Sequence, residues 1–216
     1  MKKLLISAIS AAMLSACAGL LGGGNPEVTN LEQTSTIMAA NFVNAHMETT
    51  IAFVNALEAV DNKTAAEKIK AEAEGLRDEE NNDKLEESMN SLNEIDLSAE
   101  LNQAGELSAE GKAKLANSIL HLGIAIYFDA RVAAQAPDVV SQAKNISANL
   151  SASDAMAAGK VKNIINNAGF IADVAPDQLS KLKDTFSSLK AYADAHGIKV
   201  PSQQEIEAQA AEMERE

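Results

Sequence analysis

The sequence predicts an all-α protein, built as an antiparallel bundle of about five or six helices. Glycine (11 residues) and proline (4 residues) are scarce in a chain of 216 residues in which alanine is abundant. That composition favours helices over strands. Apolar residues recur at spacings of three and four, which places them on one face of a helix. Because the segments between these patterns are short, neighbouring helices are expected to run antiparallel.

The first predicted helix extends from about Asn30 to about Val60. Its broad apolar face also includes a histidine, and comprises Met38, Phe42, Val43, His46, Met47, Ile51, Phe53, Val54, Leu57 and Val60. The opposite face carries the polar side chains of Asn41, Asn44, Glu48 and Asn55. A two-sided pattern of this kind is typical of a helix that packs against a core. Residues 61–63 are expected to end it.

A second helix is predicted from Thr64 to about Leu92, because Thr64 and Glu67 have the spacing of a capping box. We expect a kink or interruption near residues 78–83. Residues 78–110 are strongly acidic, with Lys84 as their only basic residue. They lack the alternating oxygen ligands and the central glycine of an EF-hand loop. We therefore interpret them as solvated surface, with a surface for a cation or a cationic partner as the alternative.

The third predicted helix runs from Ser108 to about Ala136. Its stretch 119–128 is apolar on all sides apart from His121, which is typical of a helix buried all round. We expect this helix to be the centre of the domain. The apolar stretch is too short to span a membrane, which takes about 20 residues.

Two prolines are interpreted as the starts of further helices. Pro137 and Pro176 are each followed by aspartate, a pair that suits the first turn of a helix. The last of these helices is expected to end at His196 and Gly197, since glycine commonly follows the end of a helix. From Ser202 onward the chain is polar and alanine-rich, and we expect a loose terminal helix that frays.

The amino-terminal segment has the features of a secretory signal. Lys2 and Lys3 precede an apolar run over residues 4–14, which ends in Leu14-Ser15-Ala16-Cys17 with the only cysteine of the chain. This tetrapeptide resembles the lipobox of bacterial lipoproteins. The resemblance implies cleavage between Ala16 and Cys17, and acyl chains on Cys17 that hold the protein on a membrane. It also implies the outer membrane, because Ala18 stands where an aspartate retains such proteins at the inner membrane of enteric-type bacteria.

These features divide the chain into four predicted parts. They are a signal peptide (1–16), a lipidated cysteine with a flexible glycine-rich tether (17–29), a helical bundle domain (30–200) and a polar tail (201–216). With Cys17 acylated, no disulfide can form in the mature chain.

The charge balance restricts the partners. The full chain has 18 basic and 31 acidic residues and a net charge of −13. Cleavage removes Lys2 and Lys3, which leaves a net charge of −15. Nucleic acid and anionic headgroups should repel so acidic a body. We therefore predict no nucleic-acid partner, and membrane contact through the lipid alone.

His46 and His121 are the candidate ligand-binding residues, because both lie within apolar stretches of predicted helices. Helical bundles build haem and metal sites from such inward side chains. The interpretation that we favour makes both neutral core histidines bonded to neighbouring carbonyl groups. The sequence contains no Cys-x-x-Cys-His, His-Glu-x-x-His or Glu-x-x-His motif, so we predict no metal and no cofactor.

The sequence has no pattern typical of catalysis. It contains neither a Gly-x-Ser-x-Gly motif nor a phosphate-binding glycine loop, and we predict no catalytic residue and no enzymatic activity. Asp129 and Arg131 flank the apolar stretch but project about 200° apart on a helix, so each is expected to find its own partner.

The predicted function is that of a lipid-anchored envelope protein acting through contact with another envelope protein at the outer membrane, either on its periplasmic face or at the cell surface. The first alternative is a helical module that binds a hydrophobic small molecule, haem or metal. The second alternative is an enzyme.

Overall fold

A computed structural model describes residues 26–75, 82–151 and 154–215 and confirms the all-α class. These residues form seven helices and no strand. The helices are α1 (Pro26–Ala59), α2 (Lys63–Gly75), α3 (Asn82–Asn93), α4 (Leu97–Ala104), α5 (Ala109–Asn149), α6 (Ala155–Ala195) and α7 (Gln203–Met213). None of the helices in this part of the chain has the combined length and apolarity that a membrane span requires.

The described residues divide into two compact units. The small unit comprises residues 26–43, 129–151 and 154–176, and the large unit comprises residues 44–75, 82–128 and 177–215. Helices α1, α5 and α6 each supply residues to both units. Each unit buries its own set of apolar side chains.

The small unit buries its apolar residues mainly at alternating spacings of three and four. They are Val28, Leu31, Met38 and Phe42 on α1, Val132, Ala136, Val139 and Ala143 on α5, and Val161, Ile164, Ala168, Ile171 and Ala175 on α6. This is the spacing of a heptad seam. The rings of Phe42 and Phe170 meet edge to face with centroids 6.3 Å apart. Lys160 Nζ lies 2.8 Å from Glu32 Oε2, so α1 and α6 contact each other in this unit.

The large unit is built around the first half of α5. Its fully buried residues Leu115, Ile119, Leu122 and Ala125 form one apolar cluster with residues of several other helices, among them Leu57 of α1, Leu101 of α4 and Leu189 of α6. The apolar stretch 119–128 thus contributes to the core of this unit, but the expectation that it is buried all round is wrong, because Leu120, His121, Ile126 and Tyr127 are only half-buried. At its edge Glu58 binds Lys70 of α2 (2.5 Å) and Lys114 of α5 (3.3 Å). The hydrogen bond from Lys70 is the main reason that the pKa of Glu58 lies below its usual value.

The interpretation of Pro137 and Pro176 as helix starts is wrong, because both lie inside continuous helices of 41 residues. A proline inside a helix removes one backbone hydrogen bond and crowds the carbonyl four residues earlier. Both prolines are exposed, so solvent can reach that face of the helix. Around Pro137 the buried spacing of Ala136, Val139 and Ala143 continues without a break. Packing of the buried side therefore outweighs the tendency of proline to interrupt the helix.

Both ends of the predicted bundle domain also need correction. Helix α1 begins at Pro26 rather than Asn30, and Val28 is already buried, so residues 26–29 belong to the helix and not to the tether. The terminal helix is not loose. Ser202 and Glu205 form a reciprocal capping box at the start of α7. Ile206 and Ala210 are buried in a cluster with Ala45, Ile124 and Phe128, so the large unit extends past residue 200.

Helix boundaries that depend on residues close by in the sequence agree with the prediction at the start of α5 and at the end of α6. Ser108 Oγ accepts a hydrogen bond from Gly111 N–H at the start of α5 (3.0 Å). At the end of α6, Gly197 has φ +62°, and Ile198 N–H donates to Ala193 O (2.9 Å), which is the bond pattern of a glycine-terminated helix. The predicted cap at Thr64 is wrong. Ala65 N–H donates to Asn62 Oδ1 (3.3 Å), and α2 begins at Lys63.

Candidate functional site

His46 lines a cavity of about 260 Å³ in the large unit. Three helices and the α3–α4 connection supply its walls. They contribute His46, Thr49 and Phe53 from α1, Met89, Leu92 and Asn93 from α3, Ile95 from the connection, and Gln178, Lys181, Leu182, Asp184 and Thr185 from α6. The spacings of three and four along α1 and α6 bring each set to one side of its helix.

His46 is 1% exposed. Its Nε2 lies 2.9 Å from Ser88 Oγ on α3. Burial lowers the pKa of His46 from 6.5 to about 4, because the charged imidazolium would lose its hydration. The side chain is therefore neutral at pH 7, in accord with our favoured interpretation. The expected carbonyl partner is wrong, since the bond is made with a hydroxyl group.

Two buried polar atoms at this cavity have no hydrogen-bond partner among the described residues. They are His46 Nδ1 and Gln178 Oε1. Gln178 is only 8% exposed. A buried polar atom without a partner costs about 1–3 kcal/mol, and such atoms are rare in folded proteins. Both residues line the cavity, but these two atoms are inaccessible to solvent and are enclosed by protein.

His121 lies in different surroundings. Its Nδ1 is 2.5 Å from Glu48 Oε2, and the two side chains are 22% and 3% exposed. The expected carbonyl partner is wrong here too, and so is the placement of Glu48 on a polar helix face. Glu48 is buried because α5 covers its side of α1 and supplies His121. This pair joins α1 to α5 within the large unit.

The structure does not bring the two histidines into one site. His46 and Glu48 are two residues apart on α1 and so project in different directions. The cavity is lined by His46 but not by His121. Within residues 26–75, 82–151 and 154–215, no group of three or more histidine, cysteine, aspartate or glutamate side chains has the arrangement to hold a metal ion.

Ser88 and His46 lie within the distance of a nucleophile and its base. However, Ser88 is not one of the residues that line the cavity. In nucleophile–base pairs a third group usually orients the base, whereas Nδ1 of His46 has no partner in the described residues. Among the described residues, the pair therefore lacks the third group that would orient the base.

A second cavity, of about 490 Å³, lies between α4 and the end of α6. Most of its residues are exposed, including Asn102, Glu106 and His196. Tyr192 donates to Gly105 O (3.1 Å) and stacks on the His196 ring at a centroid distance of 4.0 Å. The two rings that line this cavity thus already have partners within the protein. We therefore regard it as the weaker candidate for a binding site.

The remaining predicted site residues fall elsewhere. Asp129 is fully buried and Arg131 is exposed, both in the small unit. Ala16 and Cys17, the predicted cleavage and lipidation residues, lie outside the described residues.

Comparison of the chain with protein-family models, with curated proteins and with solved structures finds no match. Function is therefore argued from the residues themselves.

Sequence reasoning missed Ser88, Gln178 and the buried position of Glu48. Two of them left a detectable signal. Gln178 lies four residues before the apolar Leu182 on its helix, and Ser88 lies four residues before Leu92, so each is a polar residue at an apolar position. Glu48 left no such signal, because its burial depends on a residue 73 positions later in the chain.

Proposed function

We propose that this protein is attached to the outer membrane of a bacterium by acyl chains on Cys17, and that it acts through contact with another envelope protein. One observation carries the proposal: Leu14-Ser15-Ala16-Cys17 directly follows a basic start and a short apolar run. A thiol at this position is the nucleophile that lipidation needs, and small neighbours admit a peptidase. The proposed site lies in residues 1–25.

The folded part of the chain supports an anchored arrangement. Eight residues separate Cys17 from Pro26, where α1 begins. A chain of that length reaches at most roughly 28 Å, so the helical body would lie close to the membrane that holds the lipid. The net charge of −15 after cleavage disfavours direct adsorption to anionic headgroups. Two or more acyl chains supply stable attachment without help from the protein surface.

The first experiment is metabolic labelling with a palmitate analogue, followed by fractionation of the cells. Cys17→Ser should lose the label and leave the membrane fraction, with an unchanged helical circular dichroism spectrum. The matched control is Ala18→Ser, which keeps the thiol and should stay labelled and sedimentable. A Cys17→Ser protein that still sediments after a salt wash would contradict the lipid anchor.

The choice of membrane is tested separately. In an enteric-type host, Ala18→Asp should move the protein from the outer to the inner membrane on a density gradient, whereas Ala18→Ser should not. Equal distribution of the two variants would argue against sorting through this position.

Contact with a protein partner is tested by crosslinking in intact cells. Ile37 and Met156 are the large apolar side chains that are most exposed in the described residues, at 61% and 69%. A photo-crosslinking residue at either position should give a discrete product that disappears with Cys17→Ser. The same residue at the exposed Gln209 serves as the control. Absence of a specific product at both Ile37 and Met156, or the same product at Gln209, would count against this part of the proposal.

A further inference from the structure

We propose that one end of the small unit rests on the phospholipid surface of the membrane, with the Met156 side chain among the headgroups. This end, which we call the tether end, consists of residues 26–29 at the start of α1, residues 150, 151 and 154 of the α5–α6 connection, and residues 155–158 in the first turn of α6. The inference rests on the proposed lipid anchor and names the surface that the anchored protein turns towards the bilayer.

Helices α1 and α6 run parallel and level with each other in the small unit. Two contacts show this arrangement. Lys160 Nζ lies 2.8 Å from Glu32 Oε2, and the ring centroids of Phe42 and Phe170 are 6.3 Å apart. In both pairs the residue numbers differ by 128. The first turn of α1 is therefore level with the first turn of α6, and the α5–α6 connection lies at the same end of the unit.

The chain enters the small unit at the tether end. Eight residues link Cys17 to Pro26, and a chain of that length reaches at most roughly 28 Å. Residues 26–43, the part of α1 in the small unit, extend over roughly 27 Å at 1.5 Å per residue. Lipid on Cys17 thus keeps the tether end near the bilayer, whereas the far end of this segment can lie about twice as far away.

The small unit carries little of the negative charge of the protein. Among the described residues, it has six acidic and four basic side chains and a net charge of −2, whereas the large unit has 21 and 11 and a net charge of −10. The expectation that only the lipid contacts the membrane treated the charge as evenly spread. Repulsion from a membrane surface grows with the charge that approaches it, so the small unit can approach the headgroups at low cost.

The tether end itself is poor in charge. It holds two acidic side chains, Glu27 and Asp154, and no basic one. The Asp154 carboxylate accepts hydrogen bonds from the Ser151 backbone N–H (3.2 Å) and from the Ser151 hydroxyl group (2.6 Å). Zwitterionic headgroups suit such a surface better than anionic ones, because their cationic groups can offset the two carboxylates. Phosphatidylcholine, a zwitterionic lipid, is therefore the probe.

Met156 supplies the apolar contact. Its side chain is 69% exposed, and Leu150 in the adjoining connection is half-buried. Transfer of a methionine side chain from water to apolar surroundings is favourable, and the acyl side of the headgroup region offers such surroundings. A partner in the same membrane can still reach Met156 at the bilayer surface, so the inference is compatible with a crosslink from this position.

Ile37 provides the matched position for a test. It is 61% exposed and belongs to the same unit. Since Met156 is level with residue 28 of α1, Ile37 lies nine residues, or roughly 14 Å, further from the tether end. The membrane should therefore reach Met156 but not Ile37.

The experiment places the acylated protein in phosphatidylcholine vesicles, with the dye acrylodan on an introduced cysteine. Because acylation consumes the only native cysteine, Met156→Cys and Ile37→Cys each offer a single thiol. Acrylodan at position 156 should emit at shorter wavelength than at position 37, and acrylamide in the water should quench it several-fold less. A nitroxide-bearing lipid should quench the dye at position 156 alone. Each variant combined with Cys17→Ser gives the baseline of the unanchored protein.

The possible outcomes separate this inference from the anchor. If the protein floats with the vesicles but the dye at position 156 is as accessible as in the baseline, or if both positions are equally protected, this inference is overturned and the anchor stands. Protection at position 156 without quenching by the nitroxide lipid would assign the tether end to contact between proteins and would also overturn it. Protein that does not float overturns the anchor, and this inference with it.

A charge at the tether end gives a second test. Met156→Glu should fold, because an acidic residue suits the first turn of a helix. With acrylodan on Ala155→Cys, an exposed position in the same turn, Met156→Glu should reduce the protection of the dye several-fold, whereas Ile37→Glu should leave it unchanged. Equal protection of the dye in the two glutamate variants would overturn the inference.

Discussion

The small and large units use the same kind of helix, but they differ in how their buried polar side chains are arranged. The small unit follows a three-and-four spacing of apolar residues on α5 and α6, such as Val161, Ile164, Ala168 and Ile171 on α6. Its buried polar side chains, Ser35, Asn41 and Asp129, are separated along the chain. In the large unit, by contrast, α1 buries a run of polar side chains: His46, Glu48, Thr49 and Thr50. A regular apolar seam specifies a helix face by pattern alone. Buried polar groups additionally require partners at particular places.

The space around the helical glycines also differs between the two units. A Cβ atom on Gly123 in the large unit would lie 2.6 Å from Ile206 Cδ1 of α7, and one on Gly111 would lie 2.6 Å from the Ala59 carbonyl oxygen. In the small unit, a Cβ atom on Gly159 or Gly169 would meet nothing within 4 Å. The large unit thus depends on close approach and on specific pairs, and the two units should respond differently to the same kinds of substitution.

The largest expected effect is a loss of folding stability on acidification, caused by His46. Its pKa is 6.5 in the unfolded chain and about 4 in the folded protein. Below pH 6.5 the unfolded chain takes up a proton that the folded protein does not, so folding stability falls as the pH falls, until about pH 4. The total is about 3 kcal/mol. In urea unfolding series, His46→Leu should remove this part of the loss between pH 7 and pH 4.

The control for that series is Ser88→Ala. It removes the hydrogen-bond partner of His46 but leaves the imidazole buried. The variant should be less stable by about 1 kcal/mol at neutral pH, and its stability should still fall on acidification as in the unmodified protein. If His46→Leu and the unmodified protein lose the same stability between pH 7 and pH 4, the assignment to His46 is wrong.

The second expected effect comes from the Glu48–His121 pair. His121→Ala leaves the Glu48 carboxylate buried without this partner, and the free energy of unfolding at pH 7 should fall by about 2 kcal/mol. This is less than for a fully buried pair, because water reaches the partly exposed His121. Replacement of both residues by leucine should recover much of the loss. The control is Lys68→Ala, which removes an exposed pair with Glu72 at 3.7 Å and should cost less than about 0.5 kcal/mol of stability. Equal losses of stability in His121→Ala and Lys68→Ala would show that the buried pair contributes no more than the exposed one.

The comparison also explains which features were predictable from the sequence. The glycine end of α6 and the Ser108 start of α5 depend on side chains within a few residues, and both were predicted. The continuity of α5 through Pro137 depends on packing, which local residue preference does not contain. The residues of the candidate site likewise include one that was predictable and one that was not. His46 was predicted from its own helix, whereas Gln178, the other unpartnered group at the cavity, comes from a distant part of the chain.

The third expected effect is at the contact between α5 and α7. Gly123→Ala places a methyl group 2.6 Å from Ile206 Cδ1, and overpacking of this kind costs about 1–3 kcal/mol. Since the end of the isoleucine side chain can move, we expect about 1.5 kcal/mol, within that range, together with faster proteolysis of α7. Gly123→Ala combined with Ile206→Val should recover part of the stability. An unchanged unfolding midpoint and unchanged protection of α7 would show that the contact is looser than the structure has it.

The smallest expected effect has the opposite sign. Gly169 lies inside α6 in the small unit, and an added Cβ atom meets no neighbour within 4 Å. Alanine favours a helix interior over glycine by about 0.5–1 kcal/mol, so Gly169→Ala should raise the free energy of unfolding by about that amount. Gly159→Ala, in the same helix and equally open, should behave alike. A loss of stability in Gly169→Ala, measured beside Gly123→Ala, would mean that glycine serves close approach in both units, and the contrast between them would no longer hold for this residue type.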